Sequence, residues 1–289
     1  MTARILDGRR IARAVRDDLV AMAASDEARY GILAGLAIVR VGQDPSSQVY
    51  TRALLRASEQ VGVRATTLSL PEEIDASGLR ACIEVLNADI SIHGILMQLP
   101  LPQHLSQRLV AETIDPRKDV DGISTRSAGD LFLRLPTFVP STCAAVLEML
   151  DRCEIQLRGE RVAVVGASNV VGKPLAFLLL HLDATVTVCH VYTRDLGEQT
   201  RQASVVIVAA GKPGLLTAEM VRPGATVIDV GINVQPDGSL IGDVDAESVM
   251  AVAGALSPVP GGVGQLTNLM LLKQTLLARQ RLFGGEPEP

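Results

Sequence analysis

The stretch Val162-Ala163-Val164-Val165-Gly166-Ala167-Ser168-Asn169-Val170-Val171-Gly172-Lys173-Pro174 decides the fold. Its apolar opening reads as a buried strand, and the glycine turn leads directly into an apolar helical run. A strand, a glycine turn and a helix start in succession create an anion site, because exposed helix N–H groups and the helix dipole favour negative charge. The spacing is not the Gly-x-Gly-x-x-Gly of the general dinucleotide fingerprint. Nor is it a P-loop: five residues separate the glycines, and Pro174 stands where Ser or Thr would hold Mg²⁺. A tight turn without a ligand is the plainer alternative.

The same alternation extends to both sides. Downstream, Thr185–Cys189, Ser204–Ala209 and Ala225–Val230 read as strands, with a helix over Pro174–Leu182. Upstream, residues 9–24 have helical apolar spacing (Ile11, Ala14, Val15, Leu19, Met22). Strands are predicted at Gly35–Val41, Ala65–Leu70 and Ile92–Gln98, with helices at Ser46–Val61, closed by Gly62, and Ala76–Asn87. Strands alternating with helices of this length predict parallel sheets. The proline-punctuated stretch Leu99–Pro140 lacks a long clean strand and reads as the domain junction, followed by a linking helix over Thr142–Cys153. The helix Asn268–Gln280 is expected to return to the first domain, and Gly284–Pro289 reads as a frayed tail.

The chain is therefore α/β with two domains. An N-terminal parallel αβα domain is expected over residues 1–140 plus 266–289, and a C-terminal Rossmann-like nucleotide domain over 141–265. Two segments point to a cleft between them: Pro258-Val259-Pro260-Gly261-Gly262-Val263-Gly264 and Gly94-Ile95-Leu96-Met97-Gln98-Leu99-Pro100-Leu101-Pro102. Glycines flanked by prolines let a backbone approach a flat ligand closely. The net charge of −5 and the absence of a basic run argue against nucleic acid. No run of membrane-spanning length and no signal-peptide stretch is present, and the scattered Cys82, Cys143, Cys153 and Cys189 read as free buried thiols. These features point to a cytoplasmic protein. His93, His104, His181 and His190 have no metal-type partner at i+4, so no metal is expected.

In dinucleotide folds the end of the second strand meets the adenosine ribose. Here it reads Cys189-His190-Val191-Tyr192-Thr193-Arg194, so His190, Thr193 and Arg194 are the candidate contacts. Arg194 reads either as a ligand of a 2′-phosphate or as a solvated first-turn arginine, which leaves NAD and NADP both open. The turns Ala210-Gly211-Lys212-Pro213-Gly214 and Gly231-Ile232-Asn233 follow further strands, at the edge where open α/β sheets bind ligands.

Together with Ile5-Leu6-Asp7-Gly8, Lys118–Gly122, Asp229–Asn233 and Gly242-Asp243-Val244, these blocks resemble the methylenetetrahydrofolate dehydrogenase/cyclohydrolase family over nearly the whole chain. The resemblance implies a two-domain homodimer, NADP or NAD on the second domain and a tetrahydrofolate substrate in the cleft. Such enzymes oxidise 5,10-methylenetetrahydrofolate by hydride transfer and then hydrolyse the methenyl cation to 10-formyltetrahydrofolate. It implies catalytic positions Tyr50, Gln98 and Asp121, and substrate contacts from Ser47, Tyr50, Leu99, Pro100, Asp121, Pro260, Gly261 and Gly262. Asp121 would pair with the pterin edge; its plainer reading is a turn cap before Gly122. Implied cofactor positions are Gly166, Ser168, Val170, Gly172, Pro174, His190, Thr193, Arg194, Ala210, Gly211, Gly231, Ile232 and Thr267.

One departure stands out. The family places a lysine four residues after this tyrosine, and here Leu54 occupies that position. A leucine neither moves a proton nor stabilises charge, and Arg52 or Arg56 is a poor general base. Val191, Cys143 and Gln265 also replace usual family residues. The reading is a dehydrogenase that transfers hydride to NAD(P)⁺ with weak or absent cyclohydrolase. One alternative is a repurposed or non-catalytic paralogue that binds a pterin or nucleotide. Another is a bifunctional enzyme using a different base, such as His93 or Arg52.

Overall fold

The computed structural model describes residues 2–284. The chain divides into two units, each made of two separate segments. The five residues 285–289, most of the stretch read as a tail, lie outside the described residues.

The three-stranded unit comprises Ala14–Ser141 and Asn268–Pro289. Its strands Gly35–Val41, Arg64–Leu70 and Gly94–Met97 form a parallel sheet with the first in the middle. Parallel strands need crossovers, and the helices Pro45–Val61 and Ala76–Ala88 supply them. Asp44 caps the first helix by accepting from the Ser47 N–H, with Gly62 left-handed at its far end; Asp75 caps the second through Gly78. Ala37, Val39, Ile83, Ile95 and Met97 share one apolar core.

Within the proline-rich stretch expected to lack regular strands, the chain forms two short helices, Gln107–Thr113 and Thr125–Phe132. Ser106 and Ser124 cap them. The block between them is held from both sides. Lys118 is buried, and its ammonium donates to the carbonyls of Leu86, Asn87 and Asp89 at 3.1, 2.7 and 2.7 Å, closing the end of the Ala76–Ala88 helix. Asp119 accepts from the Ile123 and Ser124 N–H groups and the Ser127 hydroxyl. The closing helix Thr267–Gly284 reaches this block through Gln274, which donates to the carbonyls of Val120 and Val139.

The six-stranded unit comprises Met1–Arg13 and Thr142–Thr267. Its sheet runs Arg4–Ile5, Ala255–Leu256, Thr226–Asp229, Val205–Val208, Arg161–Val165 and Thr185–Cys189, all parallel. The order reverses beside Arg161–Val165, whose chain successors lie first on one side and then on the other. That is the switch point at which such sheets bind nucleotides. The first residues of the chain were assigned to the other domain; instead, Arg4 and Ile5 pair with Ala255 and Leu256. Two-residue strands carry too little periodicity to be read in advance.

Replacing Lys118 with Met should leave three carbonyls at a buried helix end without their donor. The expected loss is about 2–3 kcal/mol of unfolding free energy, read as a lower urea midpoint with an unchanged slope.

Candidate functional site

Ser47, Tyr50 and Leu54 lie on the helix that follows the middle strand, while Gln98, Leu99 and Pro100 follow its neighbour Gly94–Met97. Both groups thus leave the carboxyl edge of one parallel sheet. The Gln98 N–H is bonded to the Val39 carbonyl, which fixes where its side chain starts. Gln98 is only 6% exposed, and its amide Nε2 has no hydrogen-bond partner among the described residues. A buried donor of this kind costs stability, so it marks a place where a ligand acceptor fits. Leu99 is half-buried and Pro100 exposed, joined by a cis peptide.

Asp121 accepts from the Ser141 N–H at 2.9 Å. Burial pushes its carboxyl up to about 6, against the opposing effect of that hydrogen bond. Burial also raises the Tyr50 phenol, and the nearby Asp121 charge adds to the shift. Tyr50 and Asp121 therefore lie close enough for the charge of one to act on the other.

Leu54 is 0% exposed. It belongs to the stripe Ser47, Thr51, Leu54, Ser58 and Val61, spaced at three and four residues, that the helix buries. Arg52 and Arg56 are exposed on the same helix, outside that stripe. His93 is no nearer to the task. It precedes the strand Gly94–Met97 whereas Gln98 follows it, a separation of roughly 15 Å along an extended chain. Its Nδ1 accepts from the Gly35 N–H at 2.8 Å, its ring lies against Phe283, and burial lowers its pKa to about 4.

In the six-stranded unit, a Cβ on Gly166 would strike the Ala209 carbonyl, and one on Gly172 would strike the Gly166 carbonyl. These two glycines let the turn fold tightly onto the switch point. The helix Gly172–His181 starts there with no side-chain cap on its N-cap residue Val171, while Ser168 Oγ accepts from the Val171 N–H. Pro174 is buried in its first turn and Val170 is exposed. An anion fits this helix start by orientation and dipole.

At the second strand end, His190, Thr193 and Arg194 form one turn, with the His190 N–H bonded to Thr193 Oγ1 and the Thr193 N–H to the His190 carbonyl. Asp195, the nearest carboxylate in sequence, caps the next helix through the Glu198 N–H and lies 3.9 Å from Arg201. Further along the edge, Ala210 and Gly211 are exposed but their N–H groups are already bonded to Asp243, and the Gly231 N–H to Asp229. Ile232 is exposed near Gly264. In the Pro258–Gly264 loop Pro260 is exposed, whereas Gly261 and Gly262 are buried against Gly8, whose Cβ would strike both their carbonyls. Thr267 opens the final helix. Asp229 and Asp243 join the site residues here; the signal for them in the sequence is the glycines packed on their carboxylates, Gly242 and Gly231. Of the four cysteines only Cys143 and Cys189 are buried, none of the four forms a disulfide, and no metal-type cluster occurs among the described residues.

A nucleotide-type switch point in one unit, and in the other an interacting Tyr50–Asp121 pair and an unpartnered Gln98 amide, fit a two-domain α/β dehydrogenase class. The chain matches the tetrahydrofolate dehydrogenase/cyclohydrolase catalytic domain over residues 6–121 and the NAD(P)-binding domain of the same family over residues 140–283. It belongs to that family. It is 50% identical over 281 residues to the bifunctional protein FolD of Bordetella avium, covering 97% of this chain and 99% of the relative. The structure of the bifunctional FolD methylenetetrahydrofolate dehydrogenase/cyclohydrolase from Campylobacter jejuni superposes with a TM-score of 0.95 at 41% identity, covering 97% of this chain and 100% of that one. That of the Trypanosoma brucei enzyme, complexed with NADP and an inhibitor, gives 0.93 at 36% identity, covering 98% and 99%.

The lowered pKa of His93 has a measurable sign. Its stabilising neutral form is fully present above the unfolded value near 6.5, and stability should fall as pH drops from there toward 4. Imidazole NMR shifts should show no titration of His93 between pH 5.5 and 8.

Proposed function

We propose that this chain is a 5,10-methylenetetrahydrofolate dehydrogenase using NAD⁺ or NADP⁺, with methenyl cyclohydrolase activity weak or absent. The observation that carries the second half is Leu54, wholly buried in the core-facing stripe of its helix at the family lysine position. The candidate substitutes do not stand in for it. Arg52 is solvent-exposed and permanently charged, and His93 lies at the other end of its strand. Family membership, the glycine turn at the switch point and the unpartnered Gln98 amide support the first half.

The dinucleotide, when bound, supplies the hydride acceptor. The chain's own residues bind and orient. Asp121 as a carboxylate accepts N–H bonds from the pterin edge, Tyr50 packs beside it, and Gln98 Nε2 donates to an acceptor on the folate. Leu99 and Pro100 border the folate on the three-stranded unit. The start of the Gly172–His181 helix receives the pyrophosphate, and the His190–Arg194 segment the adenosine ribose. Ala210, Gly211, Gly231, Ile232 and Thr267 complete the nucleotide side. Hydride loss leaves a methenyl cation, which an apolar side chain does not repel as an ammonium would. Hydrolysis of that cation needs water addition and proton movement, and a missing acid/base costs roughly 10²–10⁴-fold. A cytoplasmic homodimer, with residues 14–141 and 268–289 as the folate domain and 1–13 with 142–267 as the nucleotide domain, goes with this reading; no helix among the described residues is long and apolar enough to cross a membrane.

Purified protein should oxidise methylenetetrahydrofolate with at least one nicotinamide cofactor while methenyl hydrolysis stays at the buffer rate. Leu54→Lys should raise hydrolysis by at least tenfold. Enzyme-accelerated hydrolysis in the unsubstituted protein would overturn the cyclohydrolase half; binding of ligands without any hydride transfer would favour a non-catalytic paralogue. Folate affinity should also strengthen as pH rises through about 6, where the Asp121 carboxyl ionises, and Asp121→Asn should flatten that dependence.

A further inference from the structure

Two aspartates of the six-stranded unit are buried beside the predicted nucleotide edge, and neither forms an ion pair among the described residues. Asp229 ends its strand. Its Oδ1 accepts from the N–H groups of Gly231 and Asp243 at 2.9 and 3.0 Å, and its Oδ2 from that of Val244 at 3.0 Å. Asp243, thus anchored, accepts with Oδ2 from the N–H groups of Ala210 and Gly211, both at 2.7 Å, and with Oδ1 from Asn233 Nδ2 at 2.8 Å. The Gly231 Cα lies so close to the Asp243 carboxylate that a Cβ there would strike it. One side chain therefore holds two loops that leave two adjacent parallel strands, Val205–Val208 and Thr226–Asp229.

We propose that Asp243 is a positioning residue for the dinucleotide: its carboxylate fixes the Ala210–Gly211 turn and Asn233 in the arrangement that receives the cofactor. The inference rests on the dehydrogenase reading. Without the carboxylate, two neighbouring N–H groups have no local acceptor. Charge-assisted bonds to a fixed oxygen hold them at an edge that otherwise consists of exposed loop. A backbone turn lacking that oxygen samples other conformations, and the dinucleotide binds only the fraction that is competent.

The polarity of the knot supplies the test. In Asp243→Asn one oxygen remains for Ala210 and Gly211, but the new amide N–H₂ confronts the N–H₂ of Asn233, donor against donor. Adding Asn233→Asp restores an acceptor opposite that donor; it forfeits only the long 3.4 Å bond from Asn233 to the Ile241 carbonyl. Calorimetric titration with NADP⁺ and NAD⁺ should show affinity falling about ten- to a hundredfold in the single variant and returning to within about threefold in the double. The KM for methylenetetrahydrofolate at saturating cofactor should move by less than about twofold in both. Amide exchange, measured without nucleotide, should lose protection at Ala210 and Gly211 in the single variant and regain it in the double.

An unaltered cofactor affinity in Asp243→Asn would overturn the inference. So would parallel losses of folate and cofactor binding, or a double variant no better than the single, since a merely structural aspartate behaves in those ways. Unsubstituted protein that binds neither dinucleotide would instead overturn the dehydrogenase reading on which the inference stands.

Discussion

A carboxylate removed from water with no cation beside it must find several N–H or O–H donors, and the loops of this protein are arranged around that requirement. Asp119, Asp229 and Asp243 are all buried, and each accepts from three donors. Apart from the Asn233 amide, on the short strand Asn233–Val234, every donor comes from a loop or from the start of a helix, where backbone groups have no ladder partner. The aspartates thus do for the connecting segments what hydrogen-bond ladders do for the sheets. The neighbouring glycines follow from the same constraint: Gly231 and Gly242 lie where a side chain would collide with a carboxylate.

The block Lys118-Asp119-Val120-Asp121 shows how closely support and chemistry are interleaved. Lys118 closes one helix, Asp119 holds the turn into another, and Val120 is tied to the last helix by Gln274. Only Asp121 keeps capacity for something else, with a carboxyl whose burial brings its ionisation close to neutrality. Read as a string, the four residues look like one motif. Physically, three of them hold the fourth.

Much of the architecture was legible where residues repeat at a fixed period. The strands Arg161–Val165 and Thr185–Cys189 fall where the apolar runs place them, and the Ala76–Ala88 helix begins at the predicted residue. Short elements escaped. Gln107–Thr113 and Thr125–Phe132 are too brief for periodicity to outweigh the prolines around them, although Ser106 and Ser124 were visible caps. On the candidate site, the family resemblance pointed to Tyr50 and Asp121, whose mutual electrostatic influence the structure displays. It could not reveal that the Ala210 and Gly211 N–H groups already have an acceptor, because Asp243 lies more than thirty residues away along the chain. Nor could it place Leu54 in a fully buried stripe, since a helical period marks a face without saying what covers it.

The pairing of Arg4–Ile5 with Ala255–Leu256 has a consequence for how the molecule comes into being. The strand Arg4–Ile5 finds its neighbour only after some two hundred and fifty further residues have been translated. The six-stranded sheet therefore cannot close before Ala255–Leu256 has been made, and Ala3 and Leu6, both buried in the folded protein, lack their full packing until then. An excised fragment beginning at Thr142 would lack that edge as well, and would expose the Ala255–Leu256 strand to any other chain able to pair with it.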